Sequence, residues 1–307
     1  MEGGSRRAIV AACIANGGIA VAKFVGFAVT GSASMLAEGV HSVADTSNQG
    51  LLLLGGSRAR KKATPEHPFG YGRERYFWSF VVALVLFTLG SVFALFEGVE
   101  KLRRPHAVES LSWAIGILLF AILLETFSLR TAIHESKEGV RQAGSWWKFI
   151  RTSKTPELPV VLLEDIGAMV GLVFALGGVL LAQLTGDPRW DAAGTIAIGV
   201  LLGVIALILV IEMKSLIIGE SASPAELAAI RGAIESDGGG CRLLHMRTQH
   251  LGPDELLVGA KLELDPVLDF ATVAGAIDAV EARIRAAVPS ARVIYLEPAV
   301  SQAQARA

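Results

Sequence analysis

The chain has little of what cross-links or charges a soluble fold. Its 307 residues include two cysteines, Cys13 and Cys241, far apart and in no C-x-x-C pair. That excludes a disulfide framework and a thiolate zinc site. Charge is scarce as well: Asp, Glu, Lys and Arg make up 19% of the residues, against about 25% in soluble domains. The net charge of −1 provides no basic field to hold nucleic acid, so no such partner is expected. Neither an H-E-x-x-H helix nor a G-x-S-x-G elbow is present, which argues against a membrane metalloenzyme or hydrolase. The chain is expected not to be an enzyme, and no resident cofactor is implied.

What is present is apolar sequence in long runs. Six segments stand out, at about residues 8–29, 33–56, 76–96, 111–129, 158–181 and 193–211; the third and the last carry no charge. Each is near the ~20 residues a helix needs to cross a bilayer. The basic start followed by an apolar run resembles a signal peptide. The run continues past Lys23 to Val29, however, which is long for a cleaved segment and reads as a retained first span. Basic residues gather before the first span (Arg6, Arg7), in the second linker (Arg58, Arg60, Lys61, Lys62, Arg73, Arg75) and in the fourth (Lys137, Arg141, Lys148, Arg151, Lys154). The positive-inside rule puts these, and both termini, in the cytoplasm. Lys101, Arg103 and Arg104 in the third linker run mildly against it.

After about residue 220 the composition changes. Ser223-Pro224 opens a helix over 225–236, and Gly238-Gly239-Gly240 breaks it. Strands follow at 243–250 and 255–264 around a Gly252-Pro253-Asp254 turn, then a helix at 270–288 and a strand at 292–296. The order αββαβ suits a small α+β domain of the ferredoxin-like type. The expected organisation is a transmembrane domain over 1–220, a ferredoxin-like domain over 221–298 and a loose tail over 299–307.

The second apolar segment carries polar residues on one stripe. Glu38, His41, Asp45 and Asn48 are spaced i, i+3, i+7 and i+10. An ionisable residue at the bilayer centre costs roughly 2.5–3.5 kcal/mol on insertion scales, so such a face points at a partner, a cavity or an ion. His41 and Asp45, four apart, can place an imidazole nitrogen and a carboxylate oxygen on one divalent cation. The fifth segment adds Glu164 and Asp165 among apolar residues. Helical neighbours point about 100° apart, so the two cannot face one ion equally. Gly167 and Gly171 form a small-xxx-small pair that lets another helix approach. Together these residues make a mixed nitrogen and oxygen site that Zn²⁺, Mn²⁺, Fe²⁺ or Co²⁺ would fit.

Weaker signals remain. Asn16 reads as a bridge between helices, and Lys23 as a snorkelling residue or a partner for a carboxylate. Glu125 lies near the expected cytoplasmic end of the fourth span and reads as interfacial. His67 sits in a loop, and Trp146-Trp147 reads as an interfacial anchor.

Three features together resemble the cation diffusion facilitator family: Ala37-Glu38-Gly39-Val40-His41-Ser42-Val43-Ala44-Asp45, His67-Pro68-Phe69-Gly70-Tyr71-Gly72, and the C-terminal αββαβ order. Leu163-Glu164-Asp165 with Gly171 downstream looks most like the branch containing the mitochondrial zinc transporter nine. The resemblance implies six spans, a homodimer held by the cytoplasmic domains, and metal export driven by protons moving the other way. It implies a transport site of His41, Asp45 and Asp165. The family's further His or Asp, four residues before the last aspartate, is here Val161, which cannot bind metal. Glu164, or a water, would then complete the shell. In the C-terminal domain Lys261 and Tyr295 replace two histidines of metal-binding members, although His245, His250 and Glu297 remain. That domain is expected to dimerise rather than to sense metal.

The leading expectation is a zinc exporter exchanging metal for protons in a bacterial-type inner membrane. Export of manganese, iron or cobalt is the first alternative, and a metal-binding scaffold without transport the second.

Overall fold

The computed structural model describes residues 2–30, 33–105, 111–236 and 241–300. The chain divides into two compact units, one of residues up to 58 together with 74–214, the other of 59–73 together with 215 onward.

The first unit is helical: α1 (Glu2–Thr30), α2 (Ala33–Arg58), α3 (Glu74–Val85), α4 (Phe93–Arg103), α5 (Leu111–Ala143), the short α6 (Trp146–Thr152), α7 (Glu157–Thr185) and α8 (Arg189–Ile218). A π-helical turn, Leu86–Val92, joins α3 to α4, so the third apolar segment is one rod with a widened turn. Helices over Gly3–Val29, Glu74–Arg103, Ser112–Ala143, Glu157–Thr185 and Arg189–Ile218 are long and apolar enough to cross a membrane. Among the described residues that makes five, one fewer than the six expected. The difference lies in α2, which is 26 residues long. Its run of Asp45, Thr46, Ser47, Asn48 and Gln49 dilutes the apolar residues around it.

Side chains sort as they do against lipid. On α1 the buried stripe is mostly small, with Ala8, Ala12 and Ala15 at helical spacing before Ile19, whereas Ile14, Val21, Val25 and Val29 are 50–64% exposed. Large aliphatics outside and small residues between helices reverse the pattern of a water-soluble bundle. This is an integral membrane protein. Close helix approaches follow the glycines. A Cβ added at Gly98 of α4 would come within 2.9 Å of the Ile196 backbone nitrogen of α8. Gly167 and Gly171 face Ile205 and Ile198, so the helix admitted by that pair is α8. The Ser91 hydroxyl, in the π-helical turn, donates to the Gly199 carbonyl at 2.8 Å.

Gly144, with φ +86°, lets the chain leave α5. Ser145 then caps α6 by accepting from the Lys148 N–H at 3.1 Å. Phe149 and Ile150 of α6 are buried and Trp146 and Trp147 are exposed, as expected for an amphipathic anchor.

The second unit contains α9 (Pro224–Glu235), β1 (Arg242–Gly252), β2 (Glu255–Glu263), α10 (Phe270–Ala287) and β3 (Ala291–Ala299), in the αββαβ order expected. The sheet order is β1-β2-β3. β1 pairs antiparallel with β2 (Thr248 opposite Val258), and β2 pairs parallel with β3 (Val258 beside Ile294). The core is Ile230 and Ile234 of α9 and Val280 and Ile284 of α10 against Leu256, Val258 and Leu262 of β2. Ser223 and Glu226 form a capping box at the start of α9. Residues 59–73 belong to this unit: a Cβ at Gly72 would come within 2.8 Å of the Leu251 carbonyl at the β1–β2 turn. Within that linker the His67 and Tyr71 rings lie 4.6 Å apart. Gly70 adopts φ +74°, so this motif is a packed turn.

Candidate metal-binding site

Glu164 and Asp165 are adjacent on α7 and are 7% and 1% exposed. Their 100° separation sends them to different helices, as the helical period requires. Glu164 turns to α2, where Asn48 donates to its Oε1 at 3.2 Å and Gln49 to its Oε2 at 2.9 Å. Asp165 turns to α5, where the Ser128 hydroxyl donates to its Oδ2 at 2.7 Å. These hydrogen bonds fix both carboxyl groups and tie α7 to two neighbours.

Asp45, half-buried one turn before Asn48 and Gln49 on α2, interacts electrostatically with Glu164. His41 lies on the same helix one turn earlier, but its side chain falls outside the described residues, as does that of Glu38. Val161 is fully buried one turn before Asp165 and supplies no ligand atom. Among the described residues, no three His, Cys, Asp or Glu groups stand close enough to hold one metal ion.

Glu125 corrects the interfacial reading. It is 3% exposed and feels the charges of Asp165, Glu164, Asp45 and Lys23. The error came from ending the fourth span near residue 129, where the charged residues begin; α5 runs on to Ala143, which leaves Glu125 mid-helix. Ala121, Glu125, Ser128, Ala132 and Ser136, at helical spacing and all buried, form a small and polar stripe that could have revealed it. Gln49 and Ser128 were also missed, being neutral residues with no ligand pattern of their own.

In the C-terminal unit, Lys261 donates to Glu297 at 2.8 Å, so an ammonium occupies a carboxylate that metal would need. His245 is exposed and His250 is buried.

Residues 9–218 match the model of the cation efflux transmembrane domain. Among characterised proteins, the human mitochondrial proton-coupled zinc antiporter SLC30A9 is 32% identical over 265 residues, covering 86% of this chain and 46% of that protein. Metal tolerance protein C4 of Arabidopsis thaliana is 30% identical over 262 residues, 85% of this chain and 57% of that one. The magnetosome protein MamB of Magnetospirillum gryphiswaldense is 26% identical over 87% of this chain and 84% of its own. The chain thus spans about half the length of the first two relatives.

Proposed function

The chain belongs to the cation efflux family, and from that premise we propose that it is a secondary active transporter. It exports a divalent metal cation, zinc foremost, from the cytoplasm in exchange for H⁺. The observation that carries this is the pair of buried carboxylates on α7, each held by a different helix inside a membrane unit. The name of the human relative, a proton-coupled zinc antiporter, supports both the cargo and the exchange.

The proposed ligands are His41, Asp45, Asp165 and Glu164. Metal binding requires neutral imidazole and ionised carboxylates, so protons and metal compete for the same atoms. An unperturbed histidine titrates near 6.5, which makes that competition effective at physiological pH. Alternating access then carries metal one way and protons the other. The C-terminal αββαβ unit is proposed to hold a homodimer together. The proposed site of action is a bacterial inner membrane with both termini cytoplasmic, following the basic linkers. The mitochondrial relative makes an organellar membrane the alternative. Val161 favours one rival reading, a metal-binding scaffold that does not transport.

The deciding experiment is metal flux into proteoliposomes under an imposed pH gradient, with zinc and manganese tested separately. Zinc flux that follows the proton gradient and vanishes in Asp45→Ala supports the exporter. Zinc binding without flux of either metal, in folded protein, supports the scaffold.

A further inference from the structure

Among the described residues near the candidate site, three buried carboxyl or amide oxygens are left without a hydrogen-bond partner. They are Glu125 Oε2 on α5 and Asn48 Oδ1 and Gln49 Oε1 on α2. The two amides give their N–H groups to Glu164 and leave their oxygens without a donor. An unsatisfied buried acceptor is costly, and a carboxylate oxygen more so than an amide oxygen. The charges are unbalanced in the same direction. Among the described residues, Glu125 interacts electrostatically with three further carboxyl groups, Asp45, Glu164 and Asp165, and with one ammonium, that of Lys23. Lone pairs in excess of donors, and negative charge in excess of positive, are what a divalent cation relieves.

Compared with the two carboxyl groups of α7, Glu125 has less to give up on binding. Both oxygens of Glu164 are engaged by amides, and Asp165 accepts from Ser128. Ser128 is three residues from Glu125 on α5, so the face of α5 that meets Asp165 also carries Glu125.

We propose that Glu125 is a metal-binding carboxylate contributed by α5, supplying the share of the coordination shell that Val161 on α7 cannot. This rests on the reading of the chain as a divalent-cation transporter. No three described groups already stand at ligand distance, so the ion draws the side chains inward as it enters. With Glu125 included, the set is one imidazole and four carboxylates. Such an oxygen-rich shell accepts Mn²⁺ better than a histidine-rich one does.

The test uses the purified full chain, titrated calorimetrically with Zn²⁺ and separately with Mn²⁺. Glu125→Gln, which keeps shape and removes charge, is expected to weaken zinc binding by at least about tenfold. Asp165→Asn is expected to abolish it. In Glu125→Cys loaded with Co²⁺, a sulfur-to-cobalt charge-transfer band absent from the unchanged chain would report direct coordination at position 125. That spectrum decides the matter even where Glu125→Gln does not fold. Wild-type zinc affinity in Glu125→Gln alongside loss in Asp165→Asn overturns the role of Glu125 and leaves the transport reading standing. So does a Co²⁺-loaded Glu125→Cys without the band. If the unchanged chain binds neither zinc nor manganese, the transport reading falls and the role of Glu125 falls with it.

Discussion

Arg75, in the first turn of α3, and Glu157, the first residue of α7, form a buried ion pair. The Arg75 Nε lies against Glu157 Oε1, and its Nη2 donates to Oε2 at 2.9 Å. Both ends of this fork are less than a tenth exposed. Two helices far apart in sequence are thereby locked at the level where each begins.

A lone charge left in such a place is expensive. Glu157→Ala or Arg75→Ala should each destabilise the membrane unit by about 3–5 kcal/mol. The double change Arg75→Met with Glu157→Met should recover much of that loss. Thermal unfolding midpoints in detergent check this; equal midpoints for the single and double variants would mean that the ion pair is not what matters.

Asp45→Ala and His41→Ala should each abolish metal flux in proteoliposomes and leave the oligomeric state, read by size-exclusion with light scattering, unchanged. A variant that loses flux and assembly together would mark its residue as structural.

The amide clamp on Glu164 gives a graded test. Gln49→Leu removes the donor to Oε2 and should cost about 1.5–3 kcal/mol, the range for a hydrogen bond to a charged group. Zinc affinity should fall with it, and added zinc should restore part of the lost thermal stability. Unaltered affinity would indicate that the orientation of Glu164 has no bearing on metal binding.

The spans were legible in the sequence as long apolar runs, and the αββαβ order as apolar periodicity. Ile230, Ile234, Val280 and Ile284 fall at helical spacing, and β2 is buried at alternate positions, as a half-buried strand requires. What escaped has no apolar periodic signature, or has one written in small and polar residues, as on α5. The π-helical turn at Leu86–Val92 lies in an uninterrupted apolar run. The true end of α5 lies beyond its first charges, since a helix continues into water wherever propensity and packing allow. At the site, Glu164 and Asp165 were legible as buried carboxylates on diverging faces. Of the donors that hold them, Asn48 stood out on the polar stripe of α2 but Gln49 and Ser128 did not, because a hydrogen-bond partner on another helix follows from tertiary packing.

In the C-terminal unit, Glu226 supplies a pH dependence. Burial pushes its carboxyl up. The Ser223 hydroxyl at 2.7 Å, the Ser223 backbone N–H at 2.8 Å, nearby His250 and the Ser290 hydroxyl outweigh burial and hold it below its ordinary value. A carboxyl depressed by folding stabilises the fold above its unfolded pKa, and this contribution is lost as pH falls through the folded value. The stability gap between the unchanged chain and Glu226→Gln should therefore be full at neutral pH and close in acid. Hydrogen-exchange protection of α9, corrected for intrinsic rates, measures it. A gap that widens in acid would have the sign wrong.

At 33 residues and about 1.5 Å per residue, α5 is a rod of about 50 Å, longer than the ~30 Å hydrocarbon layer. The 18 residues of α5 beyond Glu125 make a stiff arm of about 27 Å past the level of the carboxylates. A tilt of about 10° pivoting there would sweep the far end, where Phe149 of α6 packs against Gly139, through about 5 Å. The mechanical advantage of α5 is thus set by where along its length Glu125 sits.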